Sequence, residues 1–247
     1  MNSSAPLLDY FERLYIIHLP ERVDRYRALG TELLNIGIDI QDPKVYIPHA
    51  PKPNETNGFT SIGVYGNFLS HLGILREALK DGLENVWILE DDAIFRRKLR
   101  QPLEQEKIVQ HLTQNHWDLC YLGHHIQKAE LRGYPLGLVP YTGEFIWAHC
   151  YCVNGKTLHQ LVQYMEETLE NPSGHPRGGR VYIDGALNLF RRFYPEIVCL
   201  VSNPNLSNQK GSPSSLAGGR WYDRMDAMRF LVTAAREIRD ELWRISG

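Results

Sequence analysis

One short stretch, Val86–Phe95, limits the folds open to this chain more than any other. It runs from apolar, partly β-branched residues into three consecutive acids and then back to apolar residues. The continuous apolar run before the acids is typical of a strand that is buried on both faces, as in a parallel sheet covered by helices. The sequence therefore predicts an α/β domain in which three carboxylates stand at the end of an interior strand.

The three acids are Glu90, Asp91 and Asp92, and their spacing predicts how they are arranged. Side chains alternate between the two faces of a strand, so Glu90 and Asp92 should share one side and Asp91 should face the other. Two carboxylates on one side repel each other unless a cation lies between them, and carboxylate oxygens suit Mg²⁺ or Mn²⁺. The alternative is an acidic strand end that pairs with the basic residues at 96–98.

The length of the chain and its balance of charged residues limit the classes of protein to which it can belong. At 247 residues with 43% hydrophobic content, the chain can bury one sizeable core. Its 27 basic and 29 acidic residues give a net charge of -2, which argues against nucleic acid as a partner. No window reaches the roughly eighteen apolar residues of a membrane span, and the first residues lack a secretory signal pattern, so a cytoplasmic protein is expected.

Apolar periodicity predicts the elements around the acidic strand. A strand at 14–19 opens the chain, and a helix of clear 3.6-residue period covers 63–79, directly before the acids. The remaining predicted segments are strands at 44–48, 117–123, 144–154 and 196–201, a strand at 181 that becomes a helix near 184, helices at 29–36, 102–115 and 156–169, and loops at 124–142, 171–180 and 202–215.

The last segment predicts a long amphipathic helix. From Trp221 to Ile245 apolar residues recur at a three-four spacing, with arginines and acids on the opposite side. Residues 1–215 are therefore expected to form the folded domain, and residues 216–247 a C-terminal helix that packs on the domain or on a partner. A helix of a homodimer, or one peripheral to the inner face of a membrane, has the same pattern.

Several of these segments, in this order, resemble glycosyltransferase family 25, the group of lipooligosaccharide biosynthesis transferases and procollagen galactosyltransferases. The matching stretches are 16–25, 63–78, 87–93, 117–123, 147–155 and 182–185. The most specific feature is the helix with Ser70 and His71 followed by the Glu-Asp-Asp strand. Two positions depart from the family: His18 stands where Asn is usual, and 207–215 lacks an acid often found there, which leaves a third metal ligand unassigned.

The resemblance implies a GT-A-type, Rossmann-like fold with a mostly parallel sheet covered by helices. It implies inverting transfer of a hexose, galactose or glucose, from a UDP-sugar to a hydroxyl of a saccharide or similar acceptor. Glu90 and Asp92 would hold Mn²⁺ or Mg²⁺ against the donor diphosphate. The residues implied on the donor side are Arg25, Asn67, Ser70, His71 and Asp91.

Inversion in one displacement also requires a base on the side of the sugar opposite the leaving group. Asp184 corresponds to a family aspartate on the acceptor side and is the predicted base, with Glu144 in reserve, although an acid at that strand–helix junction is also an ordinary N-cap. Trp147 and Tyr151 are candidates for stacking on a sugar, although packing within the sheet is the ordinary role of aromatic residues in a strand. Two other functions stay open: a non-catalytic nucleotide-sugar or carbohydrate-binding protein, and a metal-dependent phosphohydrolase.

Overall fold

The computed structural model describes residues 5–210 and 226–245, with the backbone alone over 226–235. The elements, in chain order, are α1 (Pro6–Tyr10), β1 (Arg13–Ile17), α2 (Val23–Asn35), β2 (Val45–Tyr46), α3 (Ile62–Lys80), β3 (Asn85–Glu90), β4 (Ala93–Phe95), α4 (Pro102–Gln114), β5 (Leu119–His125), β6 (Gly137–Pro140), β7 (Ile146–Asn154), α5 (Gly155–Glu170), α6 (Ile183–Phe193), β8 (Cys199–Asn203), β9 (Ser207–Gln209) and α7 (Asp226–Ile245).

One mixed sheet forms the centre of the described chain. Its main path is β2-β1-β3-β7-β5-β8-β6, and β9 connects β4 to β5. The strands β1, β2, β3, β5, β8 and β9 run in one direction, and β4, β6 and β7 run in the other. The predicted α/β fold with a mostly parallel sheet is confirmed, with one antiparallel strand, β7, at its middle.

Helices cover both faces of the sheet, because its interior strands are apolar on both sides. On β3, Val86 and Ile88 face the layer that contains α3, α5 and α6, while Trp87 and Leu89 face the layer of α1, α2 and α4. All four side chains are fully buried. Burying one such side chain stabilises a fold by about 1.5–3 kcal/mol, so the strand that carries the acids is firmly anchored.

Helix α3 begins and ends within one residue of its predicted bounds. Its N-cap is Ser61, whose Oγ accepts a hydrogen bond from the backbone N–H of Val64 at 3.2 Å. Phe68, Leu72 and Leu75 are buried against the sheet at helical spacing. The helix therefore presents its polar positions at the carboxyl end of β3.

Three predicted segments differ from the structure, whereas the strand that leads into the acids ends at Glu90, as predicted, and is followed by β4, which pairs with β9. The predicted loops 124–142 and 202–215 contain β6 and β9, whose partners lie far along the chain and leave no local period. Val181 is not in a strand, and α6 simply begins at Ile183.

The C-terminal helix is described from Asp226 onward, so its predicted start near Trp221 lies outside the described residues. Its described side chains reach the domain through polar contacts: Arg244 pairs with Glu32 at 2.6 Å, Arg97 pairs with Glu241, and Arg96 donates to the Trp243 carbonyl oxygen at 3.0 Å.

Part of the apolar stripe of α7 is not covered by the described chain. Ile238, Leu242 and Ile245 are all more than half exposed. Among the described residues, no helix combines the length and apolar character that crossing a membrane requires.

Candidate active site

The three acids lie around the turn that joins β3 to β4. The backbone N–H of Asp91 donates to the Ile17 carbonyl oxygen at 3.1 Å, which ties this turn to the end of β1. Strand alternation does not hold in a turn, and the prediction that Asp91 faces away from Asp92 is wrong. Both carboxylates lie against the same guanidinium, that of Arg25.

Glu90 receives three side chains from two directions. Asn67 Nδ2 donates to Oε1 at 2.9 Å, His71 Nε2 lies 3.3 Å from the same oxygen, and Gln209 Nε2 donates to Oε2 at 3.2 Å. Burial raises the pKa of Glu90, but the hydrogen bond and charge of His71 and the amide of Asn67 outweigh it and lower the pKa to about 2. Glu90 is therefore ionised at neutral pH.

His71 lies beneath the acids and is fully buried. Its Nδ1 lies 3.0 Å from the Tyr151 hydroxyl, while Nε2 faces Glu90. The histidine is thus satisfied by two side chains. Tyr151 is itself fully buried in this contact, so its predicted stacking on a sugar is wrong.

Asp91 is bound by two basic side chains. His18 Nδ1 lies 2.9 Å from Oδ2, and Arg25 Nη1 lies 2.7 Å from Oδ1. The histidine that departs from the family pattern therefore has a specific partner here. Arg25 bridges Asp91 and Asp92 and also lines the cavity above them, and its place on the donor side stays a prediction.

Asp92 has the least compensated carboxylate of the three. Its Oδ2 lies 3.2 Å from Arg25 Nη1, and its buried Oδ1 has no hydrogen-bond partner among the described residues. Burial and the charge of Glu90 raise the pKa of Asp92 to about 7, against the lowering effect of Arg25. A buried acceptor without a donor is costly, so a cation or donor group bound at this oxygen would be strongly stabilising.

A cavity of about 420 Å³ opens over these acids, and we call it the acidic cavity. Of the predicted donor-side residues, Arg25, Asn67, Ser70 and Asp91 line it, as do Glu90 and Asp92, whereas His71 lies below its wall. Ser70 Oγ donates within its own helix to the Gly66 carbonyl oxygen at 2.8 Å. The remaining lining residues are Ile17, Leu19, Glu21, Ala50, Pro51, Lys52, Pro53, Ile62, Gly63, Gly66, Gln209 and Lys210.

The predicted metal ligands offer two carboxylates to a cation. Within the residues that the structure describes, no three His, Cys, Asp or Glu side chains form a group able to hold a metal ion. Mg²⁺ is, however, commonly bound through one or two carboxylates together with substrate phosphates. The unpartnered Oδ1 of Asp92 fits that arrangement, and metal binding by Glu90 and Asp92 stays a prediction.

The predicted base lies apart from the acidic cavity. Asp184, in the first turn of α6, accepts hydrogen bonds from the backbone N–H of Trp147 at 3.2 Å and from that of Gly185 at 2.9 Å. Glu144 is exposed in the connection between β6 and β7. Neither residue lines the acidic cavity, and their catalytic roles stay predictions.

A second cavity, of about 840 Å³, adjoins the first through Gln209 and Lys210, which line both. We call it the basic cavity, after its cationic lining residues Arg96, Lys128, Lys210 and Arg239. Trp147, the indole predicted to stack on a sugar, is on its wall. The two cavities thus meet along β9 and the residue that follows it.

The residues of β9 were missed because their sequence carries no usable signal. Gln209 and Lys210 fall in a polar run without apolar period, which predicts a connector. Their position depends on the antiparallel pairing of β9 with β4, in which Gln209 lies opposite Ala93. The one local sign was that β4 carries three apolar residues, Ala93–Phe95, which need a partner strand.

Comparison with known proteins agrees with this architecture. A glycosyltransferase crystal structure, of an enzyme involved in glycosylation of the major capsid of PBCV-1, superposes over 93% of this chain and 99% of its own, with a TM-score of 0.51 and 13% identity. At this identity the likeness concerns the fold alone, which is of the GT-A type.

Curated relatives match a shorter stretch. The mouse protein named inactive glycosyltransferase 25 family member 3 is 34% identical over 101 residues, and its human counterpart is 31% identical over 103 residues. These stretches are 39% and 42% of this chain but 15% and 16% of the mouse and human proteins. The chain therefore corresponds to a small part of those relatives.

The family profile covers more than half of the chain. The profile described as glycosyltransferase family 25 (LPS biosynthesis protein) matches residues 13–173. That range includes β1, α3 and the acids of the acidic cavity, and it ends before Asp184 and β9. By the extent of this match, with α3 and the acids inside it, the chain belongs to glycosyltransferase family 25.

Proposed function

We propose that this protein is a glycosyltransferase that binds a nucleotide-diphosphate sugar, a UDP-hexose, in the acidic cavity and transfers the hexose to a hydroxyl. The observation that carries the proposal is the cavity itself, which lies where β1 and β3 end. In α/β sheets, ligands bind in the crevice outside the carboxyl ends of the strands. Family membership and the GT-A fold support a glycosyltransferase.

The cavity wall combines the groups that a diphosphate and a ribose require. Arg25, Lys52 and Lys210 supply cationic groups, and Asn67 supplies an amide. Pro51 and Pro53 give an apolar edge near the start of α3. Such a mixture of apolar wall and a few placed polar groups is typical of small-molecule sites.

Glu90 and Asp92 would hold Mn²⁺ or Mg²⁺ in this site. When bound, the ion would supply Lewis-acid stabilisation of the charge that grows on the departing diphosphate. The chain's own contribution is to keep both carboxylates available. Asn67 and Gln209 orient Glu90, and Arg25 offsets part of the charge of Asp91 and Asp92.

The acceptor hydroxyl needs a base on the opposite side of the sugar from the diphosphate. Asp184 is the proposed base, with Glu144 in reserve. The proposal for Asp184 is supported by its hydrogen bond to the Trp147 backbone, because Trp147 lines the adjoining basic cavity. Inversion of the anomeric centre is part of the same proposal.

A thermal-shift screen with nucleotide sugars tests the donor site. A ligand that binds only the native state raises the melting temperature. We expect UDP-hexoses with Mn²⁺ to give the largest shift in the panel and UDP alone a smaller one. If no nucleotide diphosphate shifts the transition, with or without Mn²⁺, the donor proposal is wrong.

A second candidate function is a nucleotide-sugar-binding protein without turnover. Two observations favour it: the mouse and human relatives carry the word inactive in their names, and Arg25 already occupies Asp91 and Asp92. Assays of donor hydrolysis and of transfer to a saccharide panel distinguish the two. Metal-dependent UDP affinity without any release of hexose would favour the binding protein.

A further inference from the structure

The basic cavity carries positive charge that the described chain does not neutralise. Its lining includes four cationic side chains and, within the described residues, no Asp or Glu. Arg239 is paired with Asp240, its neighbour in sequence. Across 5–210 and the described part of α7, Lys128 and Lys210 have no carboxylate within ion-pairing distance.

Arg96 is held in place without being neutralised. Its Nε donates to the Asn205 carbonyl oxygen at 2.6 Å, and Nη1 donates to the Trp243 carbonyl oxygen at 3.0 Å. The guanidinium also lies 4.6 Å from the centre of the Trp243 ring. All these partners are neutral groups, so the positive charge of Arg96 stays available to a ligand.

The cavity also offers aromatic surface. The rings of Trp147 and His125 lie 4.6 Å apart, and both line the cavity. Aromatic faces pack well against the apolar faces of sugar rings. Trp147 adopts a φ of 78°, which is uncommon outside glycine, and its N–H is bound by Asp184. The hydrogen bond from the Trp147 N–H to Asp184 therefore helps to hold the backbone that carries this ring in an uncommon conformation.

The cavity adjoins the place where the donor sugar would react. Lys210 lines both cavities, and its backbone N–H donates to the Asp92 carbonyl oxygen at 2.7 Å. A molecule in the basic cavity is therefore separated from the acidic cavity only by the residues that line both, Gln209 and Lys210. An acceptor hydroxyl has to approach from such a neighbouring space.

We propose that the basic cavity binds the acceptor and selects one that carries an anionic group, a saccharide with a phosphate or a carboxylate. This inference rests on the proposed transferase function, because it takes the occupant of the acidic cavity to be the donor. The sugar ring would contact Trp147, and the anionic group would lie near Lys128 and Arg96. Phosphate and carboxylate share the chemistry that these cations recognise.

Direct binding to the whole chain tests the proposal. The probes are glucose, glucose 6-phosphate and glucuronic acid, measured by saturation-transfer NMR titration in the presence of saturating UDP and Mg²⁺. We expect at least one anionic probe to bind about tenfold more tightly than glucose, as expected for an ion pair in a partly screened site. Comparison of the two anionic probes shows whether phosphate or carboxylate is preferred.

A matched pair of charge reversals locates the effect. Lys128→Glu should abolish the preference for the anionic probe and leave glucose binding unchanged. Lys156→Glu is the control. Lys156 is exposed and follows Asn154, the last residue of β7, whereas Trp147 lies near the first residue of that strand. Seven residues of strand separate Asn154 from Trp147, which is roughly 23 Å. An acid in the first turn of α5 is also compatible with the helix dipole.

Three outcomes would overturn the inference: equal affinity for glucose and both anionic probes, an anion preference that survives Lys128→Glu, or an anionic probe that UDP displaces. A UDP titration in separate samples, without and with each probe, reports on the donor site and on displacement. Failure of UDP to bind contradicts the proposed donor site, whereas UDP binding without anion preference contradicts only the acceptor proposal.

Discussion

The acidic and basic cavities share a wall but are constructed in opposite ways. The acids of the first are consecutive in sequence, and each lies in contact with a partner side chain. The cations of the second come from four separate segments, and three of them, Arg96, Lys128 and Lys210, have no carboxylate partner in the described chain. Because its three acids are consecutive, the acidic cavity leaves a compact sequence motif, whereas cations that come from separate segments leave none.

The largest expected effect is on the transfer reaction, for which the donor would bind in the acidic cavity and the acceptor in the basic cavity. Asp184→Asn should lower kcat for hexose transfer by about 10²–10⁴-fold, the usual contribution of a positioned base. UDP affinity should stay unchanged, because Asn still offers an oxygen to the Trp147 N–H. Steady-state transfer kinetics and UDP titration measure the two quantities.

Glu170→Gln is the matched control for that substitution, since Glu170 is exposed at the end of α5 and lines neither cavity. It should keep the transfer rate. A normal rate in Asp184→Asn would instead mean that Asp184 only supports the Trp147 backbone.

The next effect belongs to the acidic cavity alone. Asp92→Asn should remove the gain in UDP affinity that Mn²⁺ provides, because it removes a charge worth several kcal/mol in metal-assisted sites. Calorimetric titration of UDP with and without Mn²⁺ measures this gain. Asp24→Asn is the control, an exposed carboxylate that pairs with Arg22. An equal response to Mn²⁺ in both variants would show that Asp92 holds no ion.

His149, on the central strand β7, adds a pH-dependent term to stability. Burial lowers the pKa of His149 from 6.5 to about 4, against the raising effect of Glu90. Because the folded-state pKa is depressed, the stabilisation is fully present above pH 6.5 and is lost as the pH falls toward 4. The unfolding free energy that is lost between these two pH values corresponds to about 3 kcal/mol. His149→Phe should therefore reduce the loss of unfolding free energy between pH 6.5 and 4.

His124→Phe is the matched comparison for that measurement, which urea unfolding at several pH values provides. Burial also lowers the pKa of His124 to about 4. Its Nε2, however, lies 2.8 Å from the Ser202 carbonyl oxygen, whereas neither ring nitrogen of His149 makes a hydrogen bond within the described residues. At pH 7 the His124 variant should lose about 1–3 kcal/mol and the His149 variant little. Equal losses would contradict this account of His149.

The smallest effect is expected at the mouth of the acidic cavity. Lys52 and Glu21 form an exposed ion pair at 2.8 Å, and both line the cavity. Solvent screens exposed ion pairs and leaves them little net stabilising effect, so Lys52→Gln should change the unfolding free energy very little. UDP affinity should fall slightly in Lys52→Gln and rise in Glu21→Gln, which releases the lysine. Loss of affinity in both variants would contradict a role for the ammonium in donor binding.

The elements that could be predicted from the sequence are those whose apolar residues repeat at a regular spacing within one segment. Helix α3, with its Ser61 cap and its buried Phe68 and Leu72, could be read from spacing alone. The strand that carries Glu90 could be read from its apolar run. These signals are strong because one element contains them entirely.

What could not be predicted depends on pairing between distant segments. The bridge from Arg25 to Asp91 and Asp92 requires knowledge of how α2 sits against the turn after β3. Gln209 reaches Glu90 only because β9 pairs with β4. Neither contact leaves a periodicity, a residue spacing or a local composition by which it could be recognised in the sequence.

Strand β9 has a consequence for how two substrates would share this protein. Gln209 occupies one oxygen of Glu90, so a ligand that recruits this carboxylate would compete with a side chain that also lines the basic cavity. If both cavities bind substrates, occupancy of one would then alter the affinity of the other, and thermodynamic reciprocity makes the two factors equal.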